Sequence, residues 1–128
     1  MDRNGFDQAV EFSEELVIWR MSGVLSEKHS AEVKQQLSDL VGAGKRHLII
    51  DFDGLQAIDS RGLSLLISIQ KAMREIEGRV VFVHLNAQFA ALMELTKLNR
   101  IFEIFLDMET AKRSFGGANL GLPRRSSE

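Results

Sequence analysis

Leu48-Ile49-Ile50-Asp51-Phe52-Asp53-Gly54-Leu55-Gln56-Ala57-Ile58-Asp59-Ser60-Arg61-Gly62-Leu63-Ser64-Leu65-Leu66 is a buried strand, a short acidic loop and the start of a helix. The strand is the apolar run Leu48-Ile49-Ile50 with Phe52, set between polar Lys45-Arg46-His47 and the turn-forming Asp53-Gly54. The helix begins with Asp59 as its cap, and apolar residues follow at helical spacing to about Glu77, with Gly78 as the stop. This puts the Ser60 hydroxyl at the positive end of a helix, where an anion is stabilised.

To either side of this stretch, short strands alternate with helical patterns. Phe6 to Phe12 and Leu16 to Met21 form a hairpin around Ser13-Glu14-Glu15. In its second strand Val17, Trp19 and Met21 point one way, and Leu16, Ile18 and Arg20 the other. Ser22-Gly23 breaks that pattern. Ser26 caps a helix with Val33, Leu37, Leu40 and Val41 on its apolar stripe, and Gly42 and Gly44 stop it. After the central helix, Arg79 to Leu85 is a Val-rich strand. Asn86 caps a helix carrying Phe89, Leu92, Met93, Leu95 and Leu98, with Asn99 as terminator. Ile101 to Leu106 is a last strand, and Asp107 caps a closing helix through Ala111 to Phe115. An opening hairpin followed by such alternation predicts an α/β fold with crossover connections. Residues 1–115 form one domain on this pattern. Residues 116–128, with the only Pro and few large apolar groups, are expected to be a mobile tail.

Composition narrows the function. A net charge of −2 lacks the clustered basic surface that nucleic acid demands. No apolar run approaches the ~18 residues of a membrane span, so direct membrane insertion is not expected. The N-terminus lacks the apolar core of a signal peptide, and a cytoplasmic protein is the simplest expectation. The chain has no Cys, hence no disulfide and no cysteine-based metal site. His29, His47 and His84 have no metal-ligand spacing. Asp51, Asp53 and Asp59 read as loop solvation and capping rather than as a metal site. No phosphate-cradling Gly-rich loop with Lys-Ser/Thr is present, and no base is evident beside Ser60. Neither an enzyme nor a cofactor is therefore expected.

On a helical wheel, Gly62, Leu65, Leu66, Ile69, Ala72, Met73 and Ile76 form the buried arc of the central helix. Ser60, Arg61, Ser64, Ser68, Lys71 and Glu75 form the wet arc. Leu63 and Ile67 lie apart from both. Either a neighbouring element covers them, or they form an apolar anchor for a partner beside Ser60. The anchor reading expects Ile67→Asp to abolish partner binding and leave the fold intact.

Asp59-Ser60-Arg61-Gly62-Leu63, preceded by the apolar strand and Asp53-Gly54-Leu55, resembles the signature of STAS domains, over roughly residues 5–115. Within them it is most similar to single-domain bacterial anti-sigma factor antagonists. The resemblance implies a mixed four- to five-stranded sheet with about four helices packed against it. It implies that Ser60 is phosphorylated by a serine-kinase anti-sigma factor, which the unmodified chain binds and the phosphorylated chain releases. A metal-dependent serine phosphatase then resets the cycle. The candidate partner-binding residues, from the resemblance and the helical wheel together, are Asp59, Ser60, Arg61, Leu63, Ser64, Ile67, Ser26 and Asp53. Partner switching on a non-sigma target, or service as a STAS subunit of a membrane transporter such as a lipid ABC transporter, are the competing expectations. Two features depart from the family pattern, one at position 61 and one in a loop. Arg61 stands where the family has a small residue, and can either pair with the phosphate or select a particular kinase. Val24 and Ser26 replace the acids of the family's Gly-Glu-Leu-Asp loop, here Gly23-Val24-Leu25-Ser26.

Overall fold

The computed structural model describes residues 5–119. Its elements run β1 (Phe6–Ser13), β2 (Leu16–Leu25), a 3-10 turn (Glu27–His29), α1 (Ser30–Gly42), β3 (His47–Ile58) and α2 (Ser60–Glu75). They continue with β4 (Arg79–Val83), α3 (Ala87–Leu95), a second 3-10 turn (Leu98–Arg100), β5 (Glu103–Phe105) and α4 (Met108–Asn119). The five strands form one sheet in chain order, β1-β2-β3-β4-β5. β1 and β2 are antiparallel, and the remaining neighbours are parallel. This is the α/β sheet expected from the element pattern, in the mixed form with four helices that the resemblance implies.

Strand order that never reverses, combined with right-handed crossovers, sends successive helices to the same face. The larger core accordingly joins Val17, Trp19, Met21, Ile50 and Phe52 to residues of α1, α2 and α3. The smaller core, on the other face, joins Leu16, Ile18, Ile49, Val81 and Val83 to Ala111 and Phe115 of α4. The opposed facing of Val17 and Trp19 against Leu16 and Ile18 is as the strand alternation predicts. Covered on both faces, Leu48 to Phe52 and Val80 to Val83 are buried without interruption, as parallel strands usually are. The buried Trp19 indole donates to Gln8 Oε1 at 3.0 Å, and Gln8 Nε2 donates to the Glu32 carbonyl at 3.1 Å. One side chain of β1 thereby ties the edge of the sheet to α1.

Several boundaries differ from those expected. β2 continues through Ser22-Gly23 to Leu25, because the interruption is absorbed as register shifts against β3. β3 likewise runs through Asp53-Gly54 to Ile58, where a short acidic loop is expected. Gly54 permits this, since a Cβ there would stand 2.9 Å from the Ser22 Cβ of the neighbouring strand. Ser26 caps the 3-10 turn, and α1 starts at Ser30. α2 stops at Glu75, with Glu77 rather than a glycine in the left-handed conformation (φ 60). α3 ends at Leu95, and Leu98 and Asn99 belong to the 3-10 turn after it. β5 is only three residues long. α4 extends past Phe115 to Asn119, so residues 116–119 are helical. The rest of the tail expected at 116–128 lies outside the described residues.

Candidate functional site

The start of α2 is set by local hydrogen bonding. Asp59 is in extended conformation and accepts the Gly62 N–H at 2.8 Å, and its carbonyl accepts the Leu63 N–H at 2.9 Å. Such an N-cap replaces one of the partners that the first helical turn lacks. Ser60 is the first helical residue and is exposed. Its side chain is therefore open to water on the first helical turn.

Tertiary contacts then bring the end of β2 to this turn. The Asp59 N–H donates to the Leu25 carbonyl at 3.2 Å. Gly62 packs against the same carbonyl so closely that no Cβ fits between them. This explains why a glycine stands two residues beyond Ser60. Ser26 follows Leu25 directly, and its hydroxyl accepts the Lys28 N–H at 3.4 Å. Glu27, next in the chain, lies 3.4 Å from Arg61 (Oε2 to Nη1), with both side chains 66% exposed.

The expected site residues therefore divide. Asp59, Ser60, Arg61 and Ser64 share the exposed first turns of α2, and Ser26 belongs to the adjoining loop. Leu63 and Ile67 are half-buried and pack on the larger core. Neighbouring elements cover part of each, so neither projects freely. Asp53 is not with them. It lies with Asp51, Arg20 and Asp7 around a cavity of about 300 Å³ on the sheet face opposite α2. A strand alternates its side chains, and Phe52 on the α2 side turns Asp51 and Asp53 away.

That opposite face carries its own charge network, which the sequence reading did not single out. Asp51 is 5% exposed. It meets His84 Nδ1 at 2.8 Å and Arg20 Nε at 3.5 Å, and accepts the Asp53 N–H at 2.9 Å. Arg20 also binds Glu11 at 2.5 Å. The hydrogen bond and charge of Arg20 hold the Glu11 carboxyl below its ordinary range, and Glu11 in turn raises Arg20. The Asp51 carboxylate and the Asp53 N–H thus serve this network, and Asp59 serves the helix cap. Among the described residues no group of three His, Asp or Glu side chains is placed to hold a metal ion. No described helix is long and apolar enough to cross a membrane.

A second surface near Ser60 also went unnoticed in the sequence. Ala57 and Ile58, just before the cap, form an apolar groove of about 420 Å³ with Phe89, Ala91, Leu92 and Leu95 of α3. Leu95, expected on the apolar stripe of that helix, is 82% exposed. α3 ends at this residue, so no following turn covers it.

Comparison with known proteins agrees with this architecture. BtrV of Bordetella bronchiseptica, named as a candidate anti-sigma factor antagonist, is 26% identical over 109 residues, spanning 85% of this chain and 91% of that protein. The crystal structure of an anti-sigma factor antagonist from Mycobacterium paratuberculosis superposes with a TM-score of 0.78 at 18% identity, covering 88% of this chain and 96% of that one. The Bacillus cell fate determinant SpoIIAA in its phosphorylated form superposes with a TM-score of 0.67 at 18% identity, covering 84% and 99%. At such identities the two structural likenesses speak for the fold alone. Residues 7–111 match the family model of the STAS domain, and the chain belongs to that family.

Proposed function

We propose that this protein is an anti-sigma factor antagonist that works by partner switching at Ser60. In its unmodified form it binds a serine-kinase anti-sigma factor. That kinase phosphorylates Ser60 and lets go, and a metal-dependent serine phosphatase restores the binding form. The chain acts as a binding protein and as a substrate, not as a catalyst. The observation that carries this reading is Ser60 itself, an exposed hydroxyl on the first turn of α2, immediately after the Asp59 cap. The names of relatives such as BtrV point the same way.

The energetics suit a switch that needs no refolding. Phosphate adds a charge of about −1.5 to −2 at neutral pH. The helix N-terminus offsets only ~0.3–1 kcal/mol of that, and the free protein has water around Ser60 to solvate the rest. A partner packed over Ser60, Arg61, Ser64 and Ser26 would exclude that water. Desolvation, with repulsion from Asp59 and Glu27, then costs several kcal/mol. A loss of ~3–4 kcal/mol weakens binding several-hundredfold. Asp53 adds little here, since it lies on the far side of the sheet.

Phosphosite mapping after incubation with cell extract and ATP tests the proposal. The expected result is phosphate on Ser60, its loss in Ser60→Ala, and a Ser60→Asp chain that no longer holds its kinase. An unmodified Ser60, with Ser60→Ala fully active, overturns the proposal.

A further inference from the structure

Ser60, Ser64 and Ser68 are spaced four residues apart on α2 and share one face of the helix. Ser64 Oγ donates to the Ser60 carbonyl and Ser68 Oγ to the Ser64 carbonyl, each at 3.1 Å. Ser64 and Ser68 line a groove of about 250 Å³ whose walls also include Glu27, Lys34 and Arg61. Ser60 therefore stands one turn beyond Ser64, at the N-terminal mouth of a groove holding two cations and one carboxylate.

Within that groove the Glu27–Arg61 pair is loose. Its 3.4 Å separation exceeds the 2.7–2.9 Å typical of a firm charge-assisted hydrogen bond. Exposed pairs of this kind are weak and readily exchanged. A phosphate on Ser60 would offer Arg61 a stronger partner, with about twice the charge of a carboxylate and three acceptor oxygens. The guanidinium fork matches that geometry. Adjacent helical residues point about 100° apart, so Arg61 would turn its long, exposed side chain toward a phosphate on Ser60 by a change of rotamer.

Resting on the reading of Ser60 as the phosphate acceptor, we propose that Arg61 exchanges partners with the phosphorylation state. It is held by Glu27 when Ser60 is free and by the phosphate when Ser60 is modified, with Lys34 as a second cation behind it. Part of the phosphate charge is then neutralised within the chain, and an unpaired Glu27 carboxylate appears on the loop before α1. Phosphorylation thereby alters two elements of the partner surface, α2 and that loop.

The test uses chain synthesised with phosphoserine at position 60, so that no kinase is involved. Titration by ³¹P NMR reads the second ionisation of the phosphate. Arg61 favours the dianion, so this ionisation is expected ~0.3–0.7 pH lower in the otherwise native chain than in Arg61→Ala. Glu27→Gln, which removes the competing carboxylate, is expected to lower it further, and Lys34→Ala to raise it by less than Arg61→Ala does. Asp59 is unchanged in all three and cancels from the comparison. The Glu27 amide resonance is expected to move on phosphorylation in the native chain and to stay in Arg61→Ala. An ionisation that Arg61→Ala leaves in place, together with an unmoved Glu27 amide, overturns the exchange. Failure of the switch itself has a different signature: phosphorylated chain that binds the anti-sigma factor as tightly as unmodified chain.

Discussion

Leu25, at the end of β2, and Gly62, in the first turn of α2, meet backbone to backbone. The Leu25 carbonyl accepts the Asp59 N–H at 3.2 Å and leaves no room for a Cβ on Gly62. A Cβ there would also stand 2.8 Å from Ile58 Cγ1. Through this contact the loop carrying Ser26 and Glu27 lies beside Ser60, and the candidate site has two walls.

Gly62→Ala should therefore destabilise the fold, although alanine is the better helix former by about 1 kcal/mol. The clash is with main chain, which cannot rotate away, and overpacking of this kind costs about 1–3 kcal/mol. Urea unfolding measures it. A more stable variant would mean that the start of α2 moves freely off β2.

The cap is separable from that contact. Asp59→Ala loses the 2.8 Å bond to the Gly62 N–H and should cost about 1 kcal/mol, whereas Asp59→Asn, which can still accept, should cost only a few tenths. Equal losses in the two variants, again by urea unfolding, would show that charge rather than hydrogen bonding carries the cap.

Ile67 and Ser64 should respond differently to a negative charge. Ile67 is half-buried on the core, so Ile67→Asp should lower the thermal midpoint by several degrees. It should not leave the fold intact, as a free apolar anchor would. Ser64→Asp, on the exposed face, should leave stability within about 0.5 kcal/mol while weakening anti-sigma factor binding about tenfold. Calorimetry paired with titration of the partner separates the two effects.

On the opposite face, Asp51→Ala should cost about 1–3 kcal/mol, the usual penalty for stranding polar groups that a buried acceptor served. His84, Arg20 and the Asp53 N–H would all lose a partner. Binding of the anti-sigma factor per molecule of folded chain should be unchanged, because α2 does not reach this network. A selective loss of binding would place the partner on this face instead.

Asp107 caps α4 by accepting the Thr110 N–H at 2.7 Å. That backbone bond, helped by the Thr110 side chain and the charges of Arg113 and His84, holds its carboxyl below the ordinary range. A carboxyl depressed on folding contributes stability above its unfolded pKa, about 3.9, and loses it as pH falls through the lower folded value. The cap should hold at neutral pH and weaken only in that acid window. An NMR titration of Asp107 that matched a free peptide would contradict this.

Much of this protein could be read from its sequence because the deciding interactions are short in range. Asp59, Asn86 and Asp107 each cap a helix by reaching three residues ahead, and such a bond is written in the local order of residues. The alternation in β2 and the apolar arc of α2 likewise follow from the geometry of strand and helix. The order of elements then indicated an α/β sheet with crossovers, and the resemblance carried by Asp59-Ser60-Arg61-Gly62 implied both its mixed form and a role for Ser60.

Other features depended on residues distant in sequence. Asp53 looked like a neighbour of Ser60, but β3 runs on past Gly54 and turns its side chain to the other face. Leu95 fitted an apolar stripe, yet its helix ends there and leaves it in water. Glu27 drew no notice until the Leu25–Gly62 contact brought its loop against Arg61. Sequence alone determined the elements and their caps, because those rest on bonds within a turn or a strand, and the resemblance of its motif put Ser60 forward as the candidate switch residue. Only the tertiary structure decided which charges surround that residue, because backbone contact between β2 and α2 sets them.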